Sequence, residues 1–359
     1  MIGTTRRVNL DTKTIEWTRP SSRPVKPDEE PQTSVIYRLH PTKEAGKHIF
    51  QIGTSSPERA VEAARLVAAD VSGIDVNAGC PKQFSTHGGM GAALLRTPDI
   101  LCSILEALVK NITLEFEIGI SVKIRLLETP EETEALVRQL CATGITGLTV
   151  HCRTTPMRPR ERAIRGQLKM IANICHEAGV ACLMNGDVEN REQGIQLAEE
   201  FGADGAMIAT AAEKNPSCFR TAEQGGMLHW RDALDEYLNI AMEVDNRWAN
   251  TKYLMSQMIP GKEPYYQPVV QSKSYEGACT ALEFPHHLER AKEVDIRVGL
   301  DQLVTKKQQK KAKNASAQAA GGQNGSNREE KKKKQKKSLS ERGVAASSTT
   351  EAAPVALTG

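Results

Sequence analysis

The chain has 359 residues, 39% of them apolar, and a formal net charge of +3. That length and apolar share allow a large core with an appendage and exclude disorder of the whole chain. Eight cysteines without paired spacing, and with no secretory leader at Met1, exclude a disulfide-stapled secreted domain; no apolar run reaches the ~18 residues needed to cross a bilayer. A soluble, cytoplasmic protein is expected.

The charge is unevenly spread. From Lys306 onward there are thirteen Lys/Arg against four Asp/Glu, which leaves residues 1–305 with 34 basic and 40 acidic side chains and a net of −6. The body is mildly acidic and the tail carries the positive charge.

In chain order, 1–19 is expected to form part of a helix and a return. The Pro- and charge-rich stretch 20–31 reads as loop, and 35–39 alternates enough to make a hairpin with the strand at 49–52. From 49 to about 215, short apolar strands alternate with amphipathic helices, the pattern of a parallel α/β fold. Strands are expected at 49–53, 73–79, 120–125, 147–152, 180–186 and 205–210, each nearly all apolar as burial on both faces requires. Helices with apolar residues at three- and four-residue spacing are expected at 58–69, 98–110, 130–141 and 191–201.

Polar or reactive residues close nearly every strand: Gln51, Asn77 to Cys80, Lys123 with Arg125, His151 with Arg153, and Asn185 with Asp187. Such repetition on successive strands is the mark of a (β/α)8 TIM barrel, whose site collects from strand C-termini, whereas a doubly wound sheet gathers its ligands at one switch point. Only six of eight strands can be found, so the first two are expected to be missing. After 219 the pattern becomes helical, with helices expected at 232–246, 248–258, 275–282 and 286–294. The domain expectation is therefore 1–48 as a remnant with an insertion loop, 49–220 as the barrel, 221–300 as a helical domain, and 301–359 as a disordered Lys-rich tail.

The segment Asp75-Val-Asn-Ala-Gly-Cys-Pro-Lys82 leaves a strand and enters a loop with Gly88, Gly89 and Gly91. A cysteine between Gly79 and Pro81 is held on constrained backbone where its thiol can meet a ligand, though a structural thiol at a turn is the plainer alternative. The other seven cysteines have apolar neighbours and read as small core residues. No C-x-x-C pair or histidine cluster suggests a structural zinc site, and no metal is expected.

With Gln51-Ile-Gly-Thr54, Asp75 to Lys82, Gly88-Gly-Met-Gly-Ala92, Val122 to Arg125, Val150 to Arg153, Asn185-Gly186 and Asn250 to Tyr253, the chain resembles the tRNA-dihydrouridine synthases. The resemblance is to their eukaryotic branch acting on uridine 20 of the D-loop. It implies an FMN-binding barrel that reduces uridine with NADPH or NADH and whose helical domain helps to grip tRNA. Cys80 is then the general acid supplying a proton to C5. Lys123 and His151 resemble flavin contacts, as does Gln51, and Asn77 would touch flavin or uracil. The turns Asn185-Gly186 and Ala209-Thr210 are implied to hold the FMN phosphate, although Asp187 stands where many relatives have glycine and Thr210 where many have arginine. The family's first two barrel strands have no counterpart, so the chain reads as N-terminally truncated.

Arg153, Arg158, Arg160, Arg162 and Arg165 follow His151 closely with only Glu161 opposed, a phosphate-binding rim suited to tRNA if it faces the pocket. Trp248 reads as core, Lys252 as an RNA contact on a helix. The run Lys331 to Lys334 with Lys336 and Lys337 suits a nuclear signal or an RNA tether. The expected protein is a monomer. Two further readings stand beside the enzyme: a truncated tRNA-binding relative that no longer holds FMN, and a flavin barrel acting on a small molecule.

Overall fold

The computed structural model describes residues 1–21, 33–158 and 160–301. The Lys-rich tail and most of the 20–31 stretch lie outside the described residues. The chain divides into two compact units, Met1–Val294 and Asp295–Gly359.

Six strands, β4 (Ile49–Ile52), β5 (Gly73–Asn77), β6 (Gly119–Arg125), β7 (Gly147–His151), β8 (Ala181–Asn185) and β9 (Gly205–Met207), pair in parallel and in sequential order. Every crossover carries a helix: Pro57–Arg65, Pro98–Leu108, Pro130–Cys141, Leu168–Glu177 and Arg191–Phe201. An order without reversal is an arc of a barrel and not a doubly wound sheet. Local chemistry sets the helix starts. Ser56 and Asn190 accept the amides of Arg59 and Gln193, and Thr129 with Glu132 forms a capping box, each satisfying amides that the first turn leaves open.

The strands alternate, contrary to the expectation of nearly all-apolar strands. On one face Ile74, Val76, Ile120, Val122, Ile124, Leu148, Val150, Cys182 and Met184 are fully buried in one cluster with Leu101, Ile104, Leu105, Leu136, Leu140 and Ile171 of the crossover helices. The register places Asp75 beside Ser121, Asn77 beside Lys123, Lys123 beside Thr149, and Arg125 beside His151 beside Asn185. Because side chains two apart share a face, all of these lie on the other side of the sheet. A barrel arc thus has a dry face for its helices and a polar face for chemistry.

The first 39 residues depart from expectation. In place of a helix and return, β1 (Thr5–Asn9) and β2 (Thr14–Pro20) form an antiparallel hairpin. Its turn is built by Asn9, whose side chain accepts the amides of Asp11 and Thr12, and by Lys13 in the left-handed region at φ 54°, a local arrangement that hairpin turns favour. β3 (Thr33–Leu39) pairs with β2 and not with 49–52, which pairs in parallel with β5.

This small sheet is pinned to the larger one. Trp17 is fully buried and its indole N–H donates to the carbonyl of Leu66 at 2.6 Å. Glu16 is buried between Arg7 and Arg38; burial alone would raise its pKa, but hydrogen bonds from Arg7, Asn9 and Arg38 bring it below the usual carboxylate value. Arg38 also donates to the carbonyls of Val244 and Asp245, reaching the helical region. That region holds helices Trp230–Glu243, Trp248–Met258, Tyr266–Gln271, Tyr275–Leu282 and Leu288–Arg297. Trp248 meets Tyr275 edge-on with ring centroids 5.1 Å apart, as its reading as a packing residue requires. Trp17→Ala removes a large buried ring and orphans the Leu66 carbonyl, so it is expected to cost ~3–5 kcal/mol, measured as a lowered urea midpoint.

Candidate active site

The polar face begins with a carboxylate that water scarcely reaches. Asp75 is 6% exposed, and burial raises its pKa even though it accepts hydrogen bonds from Gln51 Nε2 at 2.7 Å and Ser121 Oγ at 2.8 Å. With its nitrogen committed to Asp75, Gln51 turns Oε1 towards Asn77, whose Nδ2 donates to it at 2.8 Å. Asn77 Oδ1 then accepts the backbone amides of Gly79 at 3.1 Å and Cys80 at 3.0 Å. Three side chains in series therefore fix the backbone that carries the Cys80 thiol. Arg125 braces the same turn by donating from Nε to the Gly79 carbonyl at 2.7 Å. On the far side Gly91, at φ +61°, lies so close that a Cβ there would stand 2.5 Å from the Cys80 carbonyl oxygen. Cys80 itself is half-buried and reduced, as are all eight cysteines.

Lys123 stands one strand away. Its ammonium makes no hydrogen bond or ion pair among the described residues, and burial, with repulsion from Arg125, lowers its pKa to about 8. An unpaired cation held in partial burial suits an electron-rich group brought by a ligand. His151 is pushed further, down to about 3, by burial and then by Lys123, Arg125 and Arg153. It is therefore a neutral imidazole near neutral pH, and because its Nε2 accepts from Arg153 Nη1 at 3.1 Å, its Nδ1–H is left to donate.

The ends of β6 to β9 surround a cavity of about 1010 Å³, lined among others by Arg125, His151, Asn185, Gly186, Met207 and Thr210. Its volume suits a cofactor-sized ligand. Asn185 is held by its Nδ2 donating to the Met207 carbonyl. Ala209 and Thr210 open the short helix Thr210–Lys214 on the same wall. Asp187 takes the glycine-like φ of 52°, and its carboxylate is paired with Arg153 and accepts the Ala163 amide at 2.7 Å. Although burial alone would raise the Asp187 pKa, those hydrogen bonds hold it below the usual value. The acid is thereby reconciled with an anion-binding turn: its charge is already spent on an arginine. Arg165 donates from Nη2 to the Gly186 carbonyl at 2.8 Å while its Nε is buried without a partner. A bound phosphate oxygen would satisfy that donor.

The arginine run does not act as one rim. Arg153, expected to face RNA, is 5% exposed and works as an internal strut to Asp187, His151 and the Glu161 carbonyl. Arg158, Arg160 and Arg162 are exposed, and Arg160 and Arg162 line the cavity. Lys252 lies on the helix Trp248–Met258 and donates to the Ser272 carbonyl at 3.1 Å, and it is not among the residues that line the cavity. The sequence reading gave no role to Asp75, Ser121 or Arg125, yet a signal existed: polar residues two apart within β5 and β6.

A family model described as dihydrouridine synthase (Dus) matches residues 25–295. The chain belongs to the dihydrouridine synthase family. The curated tRNA-dihydrouridine(20) synthase [NAD(P)+] of Schizosaccharomyces pombe is 48% identical over 266 residues, covering 74% of this chain and 55% of that protein. The enzyme of the same name from Saccharomyces cerevisiae is 42% identical over 290 residues, covering 79% of this chain and 74% of that one. The chain thus spans little more than half the length of the first of these relatives. Among solved structures, DHODH of Eimeria tenella in complex with ferulenol aligns over 44% of this chain and 49% of that one, with a TM-score of 0.34 and 15% identity, a likeness that bears no weight. Family membership accords with the barrel arc and with the polar face at its strand ends.

Two expectations concern this site. Gly91→Ala is expected to lower stability by more than ~1 kcal/mol and to change the rate at which a disulfide reagent modifies Cys80. An unchanged rate would show that Gly91 does not set the thiol's position. For His151, the folded pKa of about 3 lies below the unfolded value of about 6.5. The unfolded chain therefore binds the proton first, and the stability that His151 contributes is present above pH ~6.5 and lost as pH falls towards 3. In 15N NMR its imidazole should remain neutral at pH 5.

Proposed function

We propose that this protein is a flavin-dependent tRNA-dihydrouridine synthase that reduces uridine in the D-loop, at position 20 as in the names of its yeast relatives. The observation that carries the reading is the serial support of Cys80 by Asp75, Gln51 and Asn77 beside the partnerless ammonium of Lys123. A merely structural thiol would need neither.

FMN, when bound, supplies the hydride that reduces C6 of the uracil, with NADPH or NADH as the ultimate reductant. The residues present fit such a group. Lys123 would hold the electron-rich edge of the ring, and Arg165 Nε with the amides around Gly186 and Thr210 would hold the phosphate. Neutral His151 contributes a hydrogen bond, and Gln51 has a second N–H still free to reach the ring. Charge that develops on the uracil as hydride arrives is balanced when the Cys80 thiol gives its proton to C5. Asn77 holds the Cys80 amide, so it positions the acid. Because both oxygen lone pairs and one N–H of Asn77 are used internally, its remaining N–H is the only side-chain donor it can offer the base.

The target uridine has to leave its stack to lie on the cofactor. Arg160 and Arg162, exposed and lining the cavity, and the exposed Arg158 near them in sequence are the proposed phosphate contacts; the helical region and the Lys-rich tail add grip, the tail also being the proposed nuclear signal of an otherwise cytoplasmic monomer. Each of Arg160→Ala and Arg162→Ala should weaken tRNA binding and reduce the slope of log affinity against log salt by about 1.

The reaction is tested by incubating the full chain with FMN, NADPH and an unmodified tRNA transcript, then reading the mass of D-loop fragments. A gain of two hydrogens on one uridine is expected. Cys80→Ala should keep cofactor reduction by NADPH and lose the mass gain by ~10²-fold or more, the scale of general acid catalysis. Equal loss of both half-reactions would overturn the role of Cys80. A protein that binds the transcript but never modifies it would favour the non-catalytic tRNA-binding reading.

A further inference from the structure

Away from the strand ends, three side chains converge on a point that nothing in the proposed reaction uses. Asp235 lies on the helix Trp230–Glu243, and His286 and His287 form the turn Pro285–His287 that precedes the helix Leu288–Arg297. Both imidazoles turn Nε2 towards the same carboxylate oxygen: His286 Nε2 is 2.9 Å from Asp235 Oδ1 and 3.1 Å from Oδ2, and His287 Nε2 also contacts Oδ1. All three potential ligand atoms lie within 4.8 Å of one another. His287 is buried, Asp235 is half-buried and His286 is exposed, so the cluster has a closed side and an open side.

We propose that Asp235, His286 and His287 form a binding site for a divalent late-transition ion, zinc by preference, with water as the fourth ligand. Three observations support it. The donor set of two imidazoles and one carboxylate is a zinc set. Ligand atoms around a tetrahedral zinc with bonds of about 2.0–2.1 Å stand roughly 3.3 Å apart; His286 Nε2 already stands 2.9 and 3.1 Å from the Asp235 oxygens, and His287 Nε2, which is closer, would move outward to admit an ion. Finally, the neighbouring cation does not occupy the space. Arg231, one turn before Asp235, directs its guanidinium over the rings of Tyr265 and Phe284, 4.6 and 4.7 Å from their centroids, and towards the Leu282 carbonyl. Arg290 is likewise engaged with Asn239.

The ion would tie residue 235 to residues 286 and 287, positions 51 and 52 apart in sequence, and so clamp the helix Trp230–Glu243 to the turn after Tyr275–Leu282. Its role is structural, joining two segments of the helical region that are distant in sequence. The sequence signal is slight: an adjacent histidine pair after a proline, with its carboxylate far off along the chain. Such a pair lacks the spacing by which zinc sites are usually recognised, which is why none was expected.

The test uses the full chain, stripped with a chelator and titrated with Co(II) and then Zn(II) at pH 7.5. One equivalent of Co(II) should give visible d–d absorption that one equivalent of Zn(II) abolishes, and Zn(II) should raise the melting temperature. His286→Asn is an exposed change that leaves the fold intact; it should weaken binding at least tenfold and remove the thermal shift, and Asp235→Asn should do the same. Wild-type protein without the absorption, or with absorption and shift that survive both substitutions, would overturn the proposal in favour of a histidine–carboxylate hydrogen-bond cluster.

Discussion

The hydrogen bond from Gln51 to the buried carboxylate of Asp75 is the constraint on which the site depends. An amide can present its nitrogen to Asp75 only by presenting its oxygen elsewhere, and here that oxygen orients Asn77. Asn77 in turn has one oxygen to offer and gives it to the amides of Gly79 and Cys80. The position of a thiol three residues beyond the end of β5 is thus decided by a carboxylate within that strand. Asp75 is scarcely exposed, so losing the bond that Gln51 donates to it would leave a buried carboxylate less satisfied, whereas the link from Asn77 to Gln51 lies in solvent reach.

The same face concentrates positive charge. Lys123, Arg125 and Arg153 stand on neighbouring strand ends, and their mutual repulsion together with burial lowers the pKa of Lys123, Arg125 and His151. A fold would not gain stability from such a collection. It is understandable as a site that meets negative charge, both the phosphate of a cofactor and charge that arises during reduction. Asp187 shows how an acid is accommodated on this face. Its backbone takes the left-handed conformation that glycine would favour, and its side chain becomes a partner for Arg153 where it would otherwise repel a phosphate.

Much of this was legible in the residues. The six parallel strands fall where apolar runs bounded by glycine place them, and helices Pro130–Cys141, Arg191–Phe201, Trp248–Met258 and Tyr275–Leu282 coincide with the spacing of their apolar faces. The cysteine turn announces itself by its flanking glycine and proline. Three things were less accessible. The hairpin of β1 and β2 depends on turn chemistry at Asn9 and Lys13 and on Trp17 finding the Leu66 carbonyl, a contact 49 residues distant in sequence. The helix Leu168–Glu177 was left unassigned although Leu168, Ile171, Ala172 and Cys175 repeat at helical spacing. Arg153 was read as a rim residue because charge in a loop is usually solvated; its burial follows from Asp187, which only the tertiary fold brings to it.

The central claim is that the polar face of the barrel arc is a flavin cradle that presents Cys80. Titration of FMN into the full-length chain, followed by flavin fluorescence, tests it most directly. The account predicts one FMN per chain, bleached by NADPH, and binding weakened at least tenfold, the effect of losing about 1.4 kcal/mol, by Lys123→Met, which keeps the side chain's length and removes its charge. A folded protein that binds no FMN, or binds it equally well without the Lys123 ammonium, would contradict it.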